Sequence, residues 1–208
     1  MKVLLINGSP RKDGCTYRAL SEVEKALKEE NIETEIFHIG NNPVQGCIAC
    51  YKCKNGLGKC VFDDIANVLA EKAKTADAFI FGSPVYYAGA NGALTSLMDR
   101  LFFSGGRHFA LKPAAAVVSA RRAGTTSALD RLNKYFSISQ MPVVPSQYWN
   151  MVHGSNPQDV EKDYEGLQIM RTLARNTAWL LKSLEAGKKA GVSLPKKEEI
   201  SQQTNFIR

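Results

Sequence analysis

The chain has 208 residues, of which 44% are hydrophobic, so it holds enough apolar material for one sizeable core. Its longest apolar runs fall far short of the roughly 20 residues that a membrane helix needs. The first apolar run, Val3 to Ile6, is also too short for the core of a signal peptide. We therefore expect a folded, soluble and cytoplasmic protein with no membrane partner.

The formal net charge is +7, from 27 Lys and Arg against 20 Asp and Glu, which raises the question of a nucleic-acid partner. The excess lies in three separate stretches: residues 41–60 carry +3, residues 100–134 carry +6 and residues 182–208 carry +3. The sequence contains no single long basic run of the kind that follows a phosphate backbone. The pattern does not favour a nucleic-acid partner, and we expect none.

The first forty residues predict a strand, a helix and a second strand. Lys2–Asn7 is a short apolar run that ends at Gly-Ser-Pro, which is typical of a strand buried on both faces. Apolar residues then recur at helical spacing over residues 16–29, and Glu33–His38 alternates as a strand does. Two strands joined by a helix in this way form a parallel pair.

The alternation of helix and strand resumes after an irregular loop at residues 39–62, where Asp63-Asp64 is predicted to cap the next helix. Further strands are predicted at Ala78–Gly82, Ala114–Ser119 and Met141–Val144, and further helices around Leu94–Leu101, Leu129–Phe136 and Val160–Leu184. Five strands alternating with five helices predict an α/β fold with a doubly wound, five-stranded parallel sheet in three layers.

The predicted domain organisation is simple. We expect one domain over residues 1–186, with residues 39–62 as a cysteine-rich loop insertion and residues 187–208 as a polar C-terminal tail. In a doubly wound sheet, ligands bind beyond the carboxyl ends of the strands, where the strand order reverses. The loops that begin at Gly8, Gly82 and Ser119 are therefore the candidate binding loops.

The first of these loops, residues 7–16, has the features of a phosphate site. It leads from a buried strand into a helix N-terminus, whose free N–H groups and positive dipole attract an anion. Ser9 and Thr16 add hydroxyls and Arg11 adds a cation. The loop matches neither a dinucleotide fingerprint nor a P-loop, so an ordinary strand-to-helix turn capped by Thr is the alternative.

The other two loops indicate a planar ligand. Tyr86 and Tyr87 follow Pro84 at the end of a strand, and aromatic rings of this kind stack on a heterocycle. The alternative is that both tyrosines cover an edge of the core. The third loop, residues 119–126, is small, basic and hydroxyl-rich, which suits the polar edge of a ring or a second phosphate. Its two arginines can equally be solvated.

Four of the five cysteines, Cys47, Cys50, Cys53 and Cys60, fall within fourteen residues. In a cytoplasmic chain such clustering favours ligand or redox chemistry over a disulfide framework. Cysteines two residues apart can wrap a cubic iron-sulfur cluster, and a fourth closes the coordination. Zinc usually takes two separated C-x2-C pairs, so it is a weaker alternative, and free thiols or a disulfide are a third. The three histidines have no partner at ligand spacing and predict packing roles.

Several motifs together carry a resemblance to a known family. They are Gly-Ser-Pro-Arg-x-x-Gly-x-Thr from Gly8, Gly-Ser-Pro-Val-Tyr-Tyr from Gly82, Asp99-Arg100, Tyr148-Trp149-Asn150, Glu165-Gly166 and Asn176-Thr177-Ala178-Trp179. In this order, over residues 1 to about 184, the chain resembles the NADPH-dependent FMN reductase family of flavodoxin-like proteins. With its cysteine run it is especially similar to the iron-sulfur flavoprotein branch.

The resemblance implies a set of site residues. The FMN phosphate would lie at Ser9, Arg11, Cys15 and Thr16. The ring would lie between one group, Pro84, Val85, Tyr86, Tyr87 and Gly89, and another, Ser119, Ala120 and Gly124. Cys15 departs from the family pattern, in which Asn or Ser is commoner, but its backbone N–H still serves a phosphate. The metal ligands would be Cys47, Cys50, Cys53 and Cys60.

The implied activity is electron transfer from NAD(P)H or another reduced donor, through FMN and a [4Fe-4S] cluster, to a small molecule or a redox protein partner. No protein side chain is expected to act as a catalytic group, because the flavin carries the chemistry. The family also implies a homodimer or homotetramer. A non-catalytic flavin and iron-sulfur electron carrier is the alternative, followed by a zinc-stabilised binding module.

Overall fold

Strand β1 (Lys2–Asn7) lies inside a parallel sheet of the computed structural model, which describes residues 1–196 and 198. Its residues Val3 to Asn7 are fully buried, as the continuous apolar run predicts. Helix α1 (Cys15–Glu29) crosses from β1 to β2 (Glu33–His38), and the two strands pair in parallel from Lys2↔Glu33 to Asn7↔His38.

The sheet has the strand order expected of a doubly wound fold. Strand β3 (Ala78–Tyr86) pairs with the other side of β1, β5 (Ala114–Ala120) pairs with β3, and β6 (Met151–His153) pairs with β5. The path β2-β1-β3-β5-β6 is parallel throughout, and the two-residue strand β4 (Gly89–Ala90) adds an antiparallel hairpin to β3. The predicted α/β fold class is thereby confirmed, with the strand order reversing between β1 and β3.

Helices cover both faces of the sheet and complete three layers. One face packs against α2 (Ile65–Thr75), α3 (Gly92–Gly105) and α4 (Thr125–Ile138), and the other packs against α1 and α6 (Tyr164–Lys189). Alternate β1 residues face the two cores: Leu4 and Ile6 enter the first, and Val3 and Leu5 enter the second. Each such buried side chain contributes about 1.5–3 kcal/mol of transfer free energy, so β1 stabilises both layers.

The last strand of the sheet lies later in the chain than predicted. Met141–Val144 was the expected strand, but this segment forms only one isolated bridge, Ala114↔Val143. Pro142 and Pro145 flank the bridge, and proline has no N–H to donate to a ladder. The fifth parallel strand is instead β6, which pairs with Val118–Ala120.

The C-terminal helix also differs from its predicted bounds. A short helix, α5 (Pro157–Val160), comes first, and Asp163 then caps α6 by accepting a hydrogen bond from the Gly166 N–H. Helix α6 continues to Lys189, past the start of the predicted tail, and residues 197 and 199–208 of that tail lie outside the described residues. No helix in the described part of the chain is long and apolar enough to cross a membrane.

Candidate functional site

The first candidate site is a cleft of about 270 Å³ at the carboxyl ends of β1, β3 and β5. It opens where the strand order reverses, which is the ligand position in doubly wound folds. Residues from three loops and from the segment after β6 line it: Ser9, Arg11, Gly14, Cys15, Thr16, Pro84, Val85, Tyr86, Ser119, Ala120, Arg121, Gly154 and Ser155.

The loop after β1 is shaped by hydrogen bonds from its own polar residues. The Asn7 side chain is fully buried; it accepts from the Ser9 N–H at 3.1 Å and donates to the Lys12 carbonyl at 3.0 Å. The Ser9 hydroxyl oxygen in turn accepts from the Arg11 N–H at 3.1 Å. These bonds fix the loop as a rigid turn that leads into α1.

The N-terminus of α1 faces the cleft with free donors. Its N-cap is Gly14, which has no side chain to accept from the first-turn N–H groups. Those N–H groups and the helix dipole make this end of the cleft attractive to an anion. Across the cleft floor, the Thr16 and Ser119 hydroxyls share a hydrogen bond of 2.9 Å, which joins the first loop to the end of β5.

Two glycines allow the loops around the cleft to approach each other. A Cβ on Gly8 would lie 2.6 Å from Leu94 Cδ2 and 2.7 Å from the Gly82 carbonyl oxygen. A Cβ on Gly82 would lie 2.8 Å from both Thr16 and Leu20. Both positions therefore require glycine for close packing between the first strand end and its neighbours.

His38, at the end of β2, supports the first loop from behind. Its Nε2 lies 2.8 Å from the carbonyl oxygen of Ser9. A carbonyl only accepts, so the imidazole donates this bond and is protonated at Nε2. The sequence predicted no more than a packing role for this histidine, because the contact joins the end of β2 to the loop after β1, twenty-nine positions earlier.

Cys15 lies at the start of α1 and faces the segment that follows β6. Its thiol contacts the Gly154 carbonyl oxygen at 3.5 Å. Burial raises the pKa of this thiol, which keeps it protonated and uncharged near neutral pH. The thiol therefore adds no negative charge to the anion-attracting end of the cleft.

The aromatic loop forms a tight hairpin between β3 and β4. Tyr86 pairs with Gly89, and the two residues between them, Tyr87 and Ala88, both adopt left-handed backbone angles, with φ of 50° and 59°. Tyr86 is half-exposed at the cleft and Tyr87 is fully exposed beyond it. Gly124 packs directly beneath this turn, because a Cβ there would lie 2.9 Å from Ala88 Cα.

The structure brings most of the predicted FMN residues together, although their role as FMN ligands stays a prediction. Ser9, Arg11, Cys15, Thr16, Pro84, Val85, Tyr86, Ser119 and Ala120 line the cleft. Tyr87, Gly89 and Gly124 do not line it: Tyr87 and Gly89 belong to the hairpin at its rim, and Gly124 packs beneath that hairpin. Gly14 and Arg121 also line the cleft; both lie in loops that the sequence identified, although neither was among the predicted FMN ligands. Sequence reasoning missed Gly154 and Ser155, because the predicted final strand was misplaced.

The second candidate site is formed by the cysteine loop. Its pocket is lined by Cys47, Cys50, Cys53 and Cys60, together with Ile48, Tyr51, Val61, Phe62, Arg100, Phe103 and Ser104. Cys47 and Cys50 are exposed, whereas Cys53 and Cys60 are half-buried, and all four are free. Within the described residues, no three His, Cys, Asp or Glu side chains are close enough to hold one metal ion.

One face of α3 carries the cysteine loop. Arg100, Phe103 and Ser104 line the pocket at helical spacing, and Arg107 follows one turn later, donating to the Gly58 carbonyl at 3.0 Å. The rings of Phe103 and Tyr51 form a T-shaped pair at a centroid distance of 5.7 Å. Lys54 also lies over the Phe103 ring, at 4.9 Å from its centroid. The loop is therefore attached to α3 by aromatic and cationic side chains.

Arg100 is 1% exposed and every N–H of its guanidinium has an acceptor. Nε donates to Cys60 Sγ at 3.2 Å, and Nη1 donates to the Gln45 carbonyl at 3.1 Å and to Asp64 Oδ2 at 2.8 Å. Nη2 donates to Asp64 Oδ1 at 2.6 Å and to the Phe62 carbonyl at 3.5 Å. Arginine has five N–H donors, and this set uses them all.

Asp64 is both the helix cap that the sequence predicts and the partner of this cation. Its Oδ1 accepts from the Ala66 N–H at 3.1 Å, at the start of α2. Burial alone would raise the pKa of this carboxyl, but the bonds from Arg100 and from the Ala66 N–H outweigh burial and lower it. Asp64 is therefore ionised near neutral pH and balances the buried charge of Arg100.

The four thiols fit an iron-sulfur group by their chemistry, but the loop has to adjust to hold one. The space between them is about 20 Å³, which is room for about one water molecule. Thiolates are the ligands of iron-sulfur clusters, and each cysteine binds a different iron in a [4Fe-4S] cluster. Thiols that border one pocket without converging on a point suit such a cluster better than one tetrahedral ion.

The fold and the cleft define the chain as a flavodoxin-like α/β protein. Comparison with known proteins then gives the family: residues 1–156 match the family model described as NADPH-dependent FMN reductase. That match covers well over half of the sequence, so the chain belongs to the NADPH-dependent FMN reductase family.

The sequence is similar to curated iron-sulfur flavoproteins of archaea. It is 34% identical to one from Methanocaldococcus jannaschii, an alignment that covers 89% of this chain and 100% of the relative. It is 29% identical to one from Methanosarcina thermophila, which covers 89% of this chain and 97% of that relative. The resemblance to the iron-sulfur flavoprotein branch is thus confirmed over 89% of the chain.

Solved structures agree on the fold. RosB with a bound riboflavin-phosphate intermediate has a TM-score of 0.72 at 16% identity, covering 100% of this chain and 96% of that one. A flavodoxin from the domain Archaea has a TM-score of 0.59 at 15% identity, covering 88% of this chain and 99% of that one. At these identities the likeness establishes the flavodoxin-like architecture.

Proposed function

We propose that the protein is an FMN-dependent oxidoreductase that moves electrons from NAD(P)H, or another reduced donor, to a small-molecule or protein acceptor. The observation that carries this proposal is the cleft at the strand-order reversal, where the free N–H groups of a helix N-terminus meet a wall that includes an aromatic ring. Membership of the NADPH-dependent FMN reductase family supports the same assignment.

The anion-attracting end of the cleft is the proposed phosphate site. The N–H groups of the first turn of α1, including those of Cys15 and Thr16, would bind the phosphate oxygens. Arg11 would add a cation and Ser9 a hydroxyl. Arg121, one of the two arginines of the third loop, brings a second cation to the same cleft.

The wall formed by Pro84, Val85 and Tyr86 is the proposed ring site, opposite Ser119 and Ala120. The half-exposed Tyr86 offers an aromatic surface to a planar ligand, and Pro84 is held by its pairing with Ser119 in the sheet. Tyr87, Gly89 and Gly124 would act indirectly, by setting the hairpin that limits the open side of the cleft.

FMN bound in this cleft supplies hydride acceptance and one-electron transfer, so the protein needs no nucleophile of its own. The chain positions the ring, excludes water from its buried face and balances the phosphate charge. A cleft lined by hydroxyls, cations and apolar surface agrees with a protein that binds and orients the flavin and leaves the redox chemistry to it.

We assign a [4Fe-4S] cluster to Cys47, Cys50, Cys53 and Cys60. The proposal is supported by four thiols around one pocket, by the buried cation beside Cys60, and by the curated relatives named iron-sulfur flavoproteins. Such a cluster transfers single electrons, which would let a two-electron donor serve a one-electron acceptor.

Anaerobic purification followed by an absorption spectrum, iron and sulfide assays and zinc analysis tests the cofactors. We expect flavin and iron-sulfur absorption; zinc in place of iron, or thiols without metal, would contradict the cluster. Steady-state oxidation of NADPH and NADH with a dye acceptor then tests the enzyme. A protein that holds both cofactors but turns over neither nucleotide would be an electron carrier instead.

The oligomeric state is part of the same proposal. We propose a homodimer or homotetramer, because exposed aromatic residues lie on the surface of the single chain, including Trp149 at 55% and Trp179 at 69% exposure. Light scattering on the holoprotein measures the state, and a monomeric mass would contradict it.

A further inference from the structure

Arg100 is a fully buried cation that the proposed electron transfer does not use. A buried guanidinium needs a counter-charge, and the bidentate pair with Asp64 already supplies one. The Nε–H is nonetheless directed at Cys60 Sγ, 3.2 Å away. Arginine keeps its charge at every pH of interest, so this sulfur faces a permanent cation.

Cys60 is held in place at its backbone as well as at its sulfur. The side chain of Asn67, on α2, accepts from the Cys60 N–H at 2.9 Å and donates to the Cys60 carbonyl at 3.1 Å. The same amide donates to the Phe62 carbonyl at 2.9 Å, and the Phe62 ring lies 4.9 Å from the Arg100 guanidinium. Cys60 is therefore fixed between α2 and α3.

The part of the cysteine loop that holds Cys47 and Cys50 is less constrained than Cys60. Cys47 and Cys50 are exposed and make no hydrogen bond with any residue that the structure describes. Ala49 and Tyr51, on either side of Cys50, adopt left-handed backbone angles. The part of the loop that holds Cys47 and Cys50 can therefore move outward while Cys60 stays in place. Such a movement would let the pocket accept a group larger than its present 20 Å³.

A cation beside a ligand sulfur also changes redox energetics. Reduction adds negative charge to a thiolate-bound cluster, and hydrogen bonds to its sulfurs favour the more negative state. The partners of the ligands are therefore expected to tune a metal group as well as orient its ligands.

We propose that Arg100 is a positioning residue for the cysteine site, which holds Cys60 as the fixed ligand and raises the reduction potential of the cluster. The effect on the potential rests on the proposed function; the positioning of Cys60 does not. A purely structural ion pair between α2 and α3 is the competing account, and it predicts no change in potential.

Four variants separate these accounts. Arg100→Met removes the charge and keeps the length, while Arg100→Lys keeps the charge and loses the bidentate geometry. Asp64→Asn removes the counter-charge. Arg107→Met is the matched control, because this second arginine touches the loop only at the Gly58 carbonyl. Far-UV circular dichroism confirms that each variant is folded, and Arg100→Gln, which also removes the charge, replaces Arg100→Met if the latter is not.

Limited chymotrypsin cleavage at Tyr51 and Leu57 tests the positioning without reference to any cluster. We expect Arg100→Met to be cleaved about tenfold faster than the wild type, because the loop loses its anchor, and Arg107→Met to change much less. Equal cleavage of Arg100→Met and the wild type would overturn the positioning of Cys60.

A redox titration of the anaerobically purified holoprotein, followed by absorbance, tests the effect on the potential. We expect a shift to more negative potential in Arg100→Met, a value near the wild type in Arg100→Lys, and a positive shift in Asp64→Asn. An unchanged potential in iron-loaded Arg100→Met would overturn this effect. Wild-type protein without iron would instead overturn the proposed cluster, and the cleavage pattern would still decide the positioning of Cys60.

Discussion

Individual atoms determine whether the loop after β1 can approach its neighbours closely enough to form the cleft. Gly8 donates its N–H to the Gly82 carbonyl at 2.8 Å, and the space beside it is filled by Leu94. Behind the loop, the Ser9 carbonyl is bonded to His38. Both contacts hold the backbone of the loop. Substitutions at Gly8 and His38 therefore test the loop without removing any group that faces the cleft.

Gly8→Ala is expected to destabilise the protein by about 1–3 kcal/mol, because the new Cβ would overlap Leu94 and the Gly82 carbonyl. FMN affinity should fall with it, since the strand ends are pushed apart. Gly46→Ala is the matched control, because nothing lies within 4 Å of the added Cβ. Urea unfolding and FMN titration measure both effects, and equal behaviour of the two variants would contradict the close packing.

His38→Ala removes the donor to the Ser9 carbonyl and leaves the loop less ordered. Since one such hydrogen bond contributes about 0.5–1.5 kcal/mol, we expect FMN affinity to fall roughly threefold to tenfold. His38→Gln offers an amide donor at the same position and should restore part of the affinity. Fluorescence titration with FMN is the measurement, and wild-type affinity in His38→Ala would exclude a role in supporting the loop.

At the scale of secondary structure, α1 and α3 each have two roles. The N-terminus of α1 forms one end of the cleft, while its body packs on the sheet and on α6. Helix α3 packs its apolar face into the core through Leu94, Leu97 and Leu101, and turns Arg100 and Phe103 towards the cysteine loop. The two sites therefore depend on helices that also stabilise the fold.

Glu22 links α1 to α6 through a buried carboxylate. Its side chain is 10% exposed and lies 2.9 Å from Arg18 and 2.5 Å from Arg171. Burial alone would raise the pKa of Glu22, but the bonds from both arginines outweigh burial and lower it below the ordinary 4.5. A lowered pKa in the folded state means that this stabilisation is present above about pH 4.5 and is lost as the pH falls through the folded-state value.

Glu22→Gln should therefore reduce the free energy of unfolding at pH 7 by about 1–3 kcal/mol. The loss should shrink as the pH falls below about 4.5, because the carboxyl then binds a proton more readily in the unfolded chain than in the folded one. Glu29→Gln, on the exposed side of the same helix, is the control and should change little. Urea unfolding at the two pH values checks this, and a loss that stays constant with pH would rule out the ionised pair as its cause.

At the scale of the whole molecule, part of the excess positive charge lies beside the two sites. Lys52, Lys54 and Lys59 lie in the cysteine loop, Arg100 is buried beside it, and Arg121 reaches the cleft. We expect the cations of the cysteine loop and of the cleft to compensate anionic groups bound there, which stays a prediction.

The sequence predicted the features that depend on local pattern. Lys2–Asn7 is a strand and Asp64 is a helix cap, because burial on both faces and capping leave a signal in neighbouring residues. The misplaced last strand shows the limit: Met141–Val144 has the composition of a strand, but its prolines allow one bridge only. Because β6 was not predicted, the sequence also did not indicate that Gly154 and Ser155, which follow it, line the cleft.

Other site residues could not be predicted, because they are defined by contacts between distant parts of the chain. Arg100 lies forty positions from Cys60, and His38 lies twenty-nine positions from Ser9. The sequence showed Asp99-Arg100 only as part of a family motif. The burial of Arg100 and the five acceptors of its guanidinium follow from the packing of the cysteine loop on α3.

The central claim is that the cleft between β1, β3 and β5 binds FMN through its phosphate at the start of α1. Titration of the flavin-free protein with FMN, and with riboflavin as the analogue that lacks phosphate, tests it most directly. We predict saturable binding of one FMN per chain, much weaker binding of riboflavin, and a large loss of FMN affinity in Arg11→Met. A folded protein that binds neither flavin, or binds riboflavin as tightly as FMN, would contradict the account.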